Sequence, residues 1–273
     1  MNRFSLSIAF LFMTLSTFCQ TYEELVTKSL DYIDAKEYAA AEETLKLAMR
    51  KEPANEGNIL LLSNLGTIQR QIGKKQEALV SYTSALGKYP NNAFVLQNRA
   101  SLLCEMDSLN AAMRDYNIIL SFDPENVEAL YRRGLIYVSE RNYLAAENDF
   151  EEALAINPNY TAAQSSLAFV LKSRGEWNEA ETKYTDLIYK HKNQPEFYVN
   201  RADCYLNLRK LGRAKEDLQK ALELKYEDPL LYLAKGQLNL QHFDKFAAKQ
   251  DFLKAQQLGA DENIVNEFLL LCK

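Results

Sequence analysis

Residues 127–160 read VEALYRRGLIYVSERNYLAAENDFEEALAINPNY, and their spacing decides the fold. Leu130, Gly134 and Tyr137 lie three or four apart, so they share one stripe of a first helix over residues 127–140. Leu144, Ala146, Phe150, Ala153 and Leu154 repeat the helical period in a second helix, and Asn157-Pro158-Asn159 closes it, since proline lacks the amide hydrogen that a helix interior needs. The stretch is therefore a helical hairpin. Its small residues Gly134, Ala146 and Ala153 mark where backbones approach, because helix axes about 8–10 Å apart leave no room for large side chains at the crossing.

Stepping outward from this stretch by 34 residues tests the reading. From Ala146 the steps land on Ala78, Ala112, Ala180, Ala214 and Ala248, and Ala41 joins after a three-residue insertion, Glu56-Gly57-Asn58. From Gly134 they land on Gly66, Ala100, Ala168, Ala202 and Gly236, all small. From Phe150 they land on Tyr82, Tyr116, Tyr184, Leu218 and Phe252, all bulky. Three columns in phase over six successive units are not the product of chance helical sequence.

The columns resemble the tetratricopeptide repeat, a 34-residue helix-turn-helix unit with an apolar, glycine, tyrosine, alanine, aromatic, proline signature, matched here by Leu130, Gly134, Tyr137, Ala146, Phe150 and Pro158. Seven units follow at residues 22–55, 59–92, 93–126, 127–160, 161–194, 195–228 and 229–262. The signature tryptophan is missing throughout. The closing proline at Pro53, Pro90, Pro124 and Pro158 gives way to Lys192, Tyr226 and Ala260, which implies a looser joint in the C-terminal half. The resemblance implies an all-α protein, a right-handed α-solenoid whose hairpins bury apolar faces only between neighbours. Residues 263–273 read as a capping helix with Ile264, Val265, Phe268, Leu269, Leu271 and Cys272 at helical spacing and Leu270 off the stripe. Self-association through that end is a further expectation.

Residues 1–19 have the layout of a secretory signal: Arg3, an uncharged apolar run over residues 4–13 and a small, polar tail. The run is shorter than the roughly 20 residues of a membrane span. Export to the periplasm or cell envelope is expected, with cleavage after Cys19; a lipid anchor on Cys19 is the lesser alternative, because Phe18 is bulky for that cleavage site.

The formal net charge is −5 and the basic runs are no longer than pairs such as Lys74-Lys75, which argues against nucleic acid. Cys104, Cys204 and Cys272 remain after cleavage; Cys204 and Cys272 fall two units apart, too far to bridge, and buried packing is expected for all three, with Cys272 the most exposed. His191 and His242 have no carboxylate or cysteine at ligand spacing, and no glycine-rich phosphate loop exists; Gly73 and Gly175 read as helix C-caps. Adjacent carboxylates such as Glu23-Glu24, Glu42-Glu43 and Glu151-Glu152 are expected on exposed faces. No enzyme, cofactor or metal is indicated.

A stack of hairpins offers a face lined by first helices, and in proteins that this chain resembles that face takes ligands. The residue just before the column Leu65, Arg99, Arg133, Leu167, Arg201 should point into it: Asn64, Asn98, Arg132, Ser166 and Asn200. Gln97 and Tyr131 neighbour this column, and Arg70, Phe169 and Lys172 lie on the next turns. Asparagine amides suit the backbone of an extended peptide, and Arg70, Arg132 and Lys172 would meet an acidic group or chain terminus. Relatives that clamp chaperone C-termini use asparagine, lysine and arginine from three units. Asn98 and Arg132 match two of those positions, but Ser63, Thr67 and Glu128 stand at the others, and Glu128 would repel a carboxylate. The expected partner is a protein or peptide of another kind. The alternative is an envelope scaffold whose contacts run through the outer face and the C-terminal helix.

Overall fold

A computed structural model describes residues 20–273; the expected secretory signal and the expected cleavage site at Cys19 fall outside the described residues. The chain divides into two compact units, Met1–Pro124 and Glu125–Lys273. Both are all-helical.

The N-terminal unit holds three hairpins: α1 (Tyr22–Asp34) with α2 (Tyr38–Lys51), α3 (Asn58–Gln71) with α4 (Lys75–Lys88), and α5 (Ala93–Glu105) with α6 (Leu109–Phe122). The C-terminal unit holds four, α7 (Val127–Ser139) with α8 (Tyr143–Ile156), α9 (Thr161–Ser173) with α10 (Trp177–Lys190), α11 (Pro195–Asn207) with α12 (Leu211–Glu223), and α13 (Pro229–Gln241) with α14 (Lys245–Gln257), followed by α15 (Glu262–Leu271). Within each unit, consecutive hairpins pack second helix against next first helix, so each unit is a run of α-solenoid and no strand occurs among the described residues.

The columns read from sequence form the cores. Ala41, Ala78, Ala112, Ala146, Ala180, Ala214 and Ala248 are all fully buried, and so are Tyr82, Tyr116, Phe150, Tyr184 and Phe252. Tyr82, Phe150 and Phe252 each face the glycine 16 positions earlier. A Cβ added at Gly134 would lie 2.5 Å from Phe150 Cε1, and one at Gly236 would lie 2.4 Å from Phe252 Cε1. Ser29, also fully buried, takes the small place in the first hairpin. The exception is Leu144, expected on the buried stripe of α8 but exposed, because it precedes Ala146 by only two residues and so falls across the helix.

Each hairpin turns through one residue with positive φ: Lys36, Gly73, Asp107, Arg141, Gly175, Arg209 and Phe243. Gly73 and Gly175 do end their helices, as expected, but five of the seven turns use side-chain-bearing residues in the left-handed region. The missing closing prolines have a counterpart: Pro195 and Pro229 occupy the first turns of α11 and α13, where the absent amide hydrogen costs nothing.

Two further expectations fail locally. Glu42 is buried, not exposed, and anchors a network that adjacency of two carboxylates could not reveal. Its Oε1 accepts from Gln69 Nε2 at 3.1 Å and lies 2.6 Å from Lys46 Nζ; its Oε2 accepts from Lys74 Nζ at 2.7 Å, and Gln69 Oε1 accepts from Ser81 Oγ at 2.7 Å. Burial alone would raise the Glu42 carboxyl, but the three donors pull it down to about 2. In α15, Ile264 and Leu271 are exposed, and only Val265 is fully buried, because this helix has a hairpin on one side only.

Two measurements follow. Gly236→Ala is expected to lower stability by about 1–3 kcal/mol, since Phe252 is pinned in a parallel stack on Phe268 with centroids 4.8 Å apart. Gly87→Ala, whose Cβ would meet nothing within 4 Å in α4, should raise stability by up to about 1 kcal/mol; urea melts of both variants check the pair. A carboxyl depressed in the folded state contributes stability above its unfolded value that is lost as pH falls toward the folded one. Glu42→Gln should therefore destabilise the N-terminal unit at pH 7 by roughly 1–3 kcal/mol and flatten its loss of stability between about pH 4.5 and 2, followed by circular dichroism.

Candidate functional site

A second pair of columns ties the two helices of a hairpin together. Arg99 grips Asp115 through two hydrogen bonds, Nε to Oδ2 at 2.8 Å and Nη2 to Oδ1 at 2.7 Å. Arg133 holds Asp149 (2.9 and 2.6 Å) and Arg201 holds Asp217 (2.8 and 2.7 Å) in the same way. In the last hairpin Lys235 donates to Asp251 Oδ1 and Asn239 to Oδ2, both at 2.8 Å. The four aspartates are buried. Stepping 34 residues from Asp149 finds them, a signal in the sequence that the columns of apolar residues masked. With these arginines turned inward to α6, α8 and α12, the residues beside them on the first helices are left to face outward.

In the C-terminal unit that face carries two adjoining cavities. The smaller, about 240 Å³, is lined by Lys172 of α9; Val199, Asn200 and Asp203 of α11; Leu230, Leu233, Ala234 and Gln237 of α13; and Ile264 and Phe268 of α15. The larger, about 560 Å³, continues past Asp203, Gln237 and Phe268 to Leu206, Leu240, Leu271 and the turn residue Phe243, which is 92% exposed. No second helix contributes to either wall. Lys172 Nζ donates to Asn200 Oδ1 at 2.8 Å and pairs with Asp203 Oδ2 at 3.1 Å, so the polar centre is charge-balanced within the chain. Behind it, burial first and the Asp203 charge second push the Cys204 thiol up to about 12, which keeps it protonated and unreactive. Cys204 is fully buried, and Cys104 and Cys272 are half-buried.

The residues expected to line a ligand face fall in both units. In the N-terminal unit, Asn64 lines a cavity of about 400 Å³ with Leu60, Tyr89 and Phe94. Gln97 and Asn98 are half-buried, with the Asn98 Nδ2 buried and without a hydrogen-bond acceptor. Arg70 Nε donates to Glu105 Oε1 at 2.9 Å. In the C-terminal unit, Arg132 pairs with Glu128 at 2.6 Å, and Glu128 also accepts from the Tyr160 hydroxyl at 2.7 Å. Tyr131 packs edge-on against Tyr160 with centroids 5.0 Å apart. Phe169 is exposed, with Lys172 Nζ 5.7 Å from its ring centroid. Lys172 and Asn200 are thus the expected residues that one cavity brings together. The three cations expected to meet an incoming acid each hold a carboxylate of this chain instead. Asp203 and Gln237 escaped sequence reasoning, although both stand on the 34-residue column of Phe169. Phe243 and α15 as walls had no such signal.

His191 Nε2 lies 3.2 Å from Thr161 Oγ1 and its ring is edge-on to Phe197. Among the described residues no group of three His, Cys, Asp or Glu side chains gathers as metal ligands, and no helix is long and apolar enough to cross a membrane.

Fold and face together define a helical-repeat module with a first-helix surface open for contact. Family profiles described as tetratricopeptide repeat match residues 127–160 and 195–228. A tetratricopeptide repeat protein from Parabacteroides merdae shares 43% identity over 93% of this chain and 99% of its own, with a TM-score of 0.74. The chain belongs to the tetratricopeptide repeat family. PilF of Pseudomonas aeruginosa shares the fold at 19% identity and a TM-score of 0.63 over 78% of this chain and 96% of its own. So does YrrB, described as a tetratricopeptide protein with an unusual peptide-binding site, at 21% identity and 0.54 over 68% of this chain and 96% of its own. No curated protein sequence matches. Proteins built from these repeats bind protein partners and serve in general as scaffolds.

Proposed function

We propose that the chain is an exported module that holds an extended segment of a partner protein on the first-helix face of its C-terminal unit. The observation that carries the reading is the pair of adjoining cavities walled only by α9, α11, α13, α15 and hairpin turns. Val199, Leu230, Leu233, Ile264 and Phe268 offer apolar contact for side chains, while Asn200, Asp203 and Gln237 supply polar groups that can meet a peptide backbone. Lys172 and Asp203 neutralise each other, so the segment taken is one with apolar anchors in preference to an acidic tail. The peptide-binding site of YrrB supports this use of the fold by analogy. Export rests on the uncharged apolar run at residues 4–13 behind Arg3.

Leu230 and Ile264 are about half exposed, so changing them should leave the core intact. Leu230→Asp with Ile264→Asp is expected to cut capture of the partner from envelope extracts at least tenfold with an unchanged melting temperature. Leu144→Asp, on the exposed side of α8, should leave capture as it is. Capture that survives the double change and fails with Leu144→Asp would overturn the inner-face reading and place contact on the outer face.

A further inference from the structure

Four of the seven hairpins carry the buried ion pair, and among the three that lack it the hairpin of α9 and α10 opens a site. Where three units hold an arginine–aspartate pair and the last a lysine–aspartate pair, residues 161–194 place Leu167 and Lys183. The cation of the first helix is lost, and on the second helix an acid is replaced by a base. The hairpin of α3 and α4 also lacks the pair, with Leu65 and Ser81, but fills the place with the Gln69–Ser81 hydrogen bond. The residue equivalent to Gln69 in α9 is Leu171, which cannot do so.

The result is a cavity of about 230 Å³ between the end of α8, α9 and α10. Leu154, Leu167 and Leu187 line its apolar part, with Pro158 and Gln164 beside them, and Lys183, Asp186 and Lys190 stand at its mouth. Both residues that replace the ion pair, Leu167 and Lys183, face this space. Lys183 and Lys190 are exposed, and among the described residues neither is ion-paired. They stand seven residues apart on one face of α10, about 10 Å along the axis, within reach of one anion through their flexible arms. Asp186 is the only acid at the mouth, so the rim is net positive. An apolar cavity of about 150 Å³ already admits a benzene-sized guest, so this one accommodates a branched aliphatic group.

We infer that this cavity binds a carboxylate carried on a short branched aliphatic body, the aliphatic part on the three leucines and the carboxylate between Lys183 and Lys190. The site is separate from the inner face described above, and either can fail without the other. A free acid and a peptide terminus ending in an aliphatic residue share this chemistry.

Calorimetry or NMR titration of the full chain with N-acetyl-L-leucine, N-acetyl-L-leucinamide and the peptide Ser-Gly-Ser-Leu tests it. The acid is expected to bind at least tenfold more tightly than the amide; a peptide that matches or exceeds it identifies a chain terminus, and a peptide that does not bind identifies a free acid. Lys183→Ala and Lys190→Ala should each weaken binding several-fold, and Asp186→Asn should tighten it. Leu167→Arg with Lys183→Asp introduces the arginine–aspartate pair that three other hairpins hold, and should fill the cavity and abolish binding with the helical signal retained. Equal binding of acid and amide, no saturable binding of any probe, or undiminished binding by Lys183→Ala or by the folded double variant would overturn the inference.

Discussion

The crossing of two helices within each hairpin, a glycine, alanine or serine against a bulky residue 16 positions later, is the constraint on which the rest depends. Helix axes that close leave no volume for a second large side chain, and the ring of Phe150 already stands where a Cβ on Gly134 would be. Once that contact fixes how the two helices register, every other residue pair separated by 16 is fixed as well. The Arg99–Asp115, Arg133–Asp149, Arg201–Asp217 and Lys235–Asp251 pairs are such residues. The magnitudes separate their roles. Burying one aromatic or leucine side chain is worth roughly 1.5–3 kcal/mol, whereas a buried ion pair often does no better than an apolar pair of similar volume. The rings hold the hairpin closed, and the ion pairs penalise any slip that would leave an aspartate buried alone.

That register also decides which side chains are left over for contact. Cations that look available along the first helices are consumed at home: Arg70 by Glu105, Arg132 by Glu128, Lys172 by Asp203. What the inner side of the C-terminal unit presents is therefore mainly apolar, with asparagine, aspartate and glutamine spaced through it. α15 is part of this arrangement. It covers the end of the last hairpin through Val265 and the Phe252–Phe268 stack, and the exposed Ile264 and Leu271 extend the wall of the cavities.

The helices, their pairing and the buried columns were legible in the sequence because a repeat shows the same constraint six times in one phase. Ala146 or Phe150 taken alone would say little; the column says where each points. Features that occur once had no such amplification. Glu42 reads as half of a solvated carboxylate pair, and its burial depends on Lys74 and Gln69, 32 and 27 residues away. Leu144 is apolar yet exposed, because hydropathy alone does not say which side of α8 it takes. The cavity was legible by position and not by state: phase put Lys172 and Asn200 on the same side of the first helices, where one cavity holds both, but no spacing rule announces that Asp203 neutralises the lysine. The inward ion pairs were recoverable by the same 34-residue step, and went unseen because charged residues were read as surface.

Stability and surface both follow a 34-residue repeat of crossings, and amide hydrogen exchange along residues 20–273 reads that period residue by residue. Protection should rise and fall with that period, with maxima at Ala78, Ala112, Ala146, Ala180, Ala214 and Ala248, minima at the positive-φ turns, and weak protection over most of α15. Uniform protection, or maxima that ignore the columns, would contradict it.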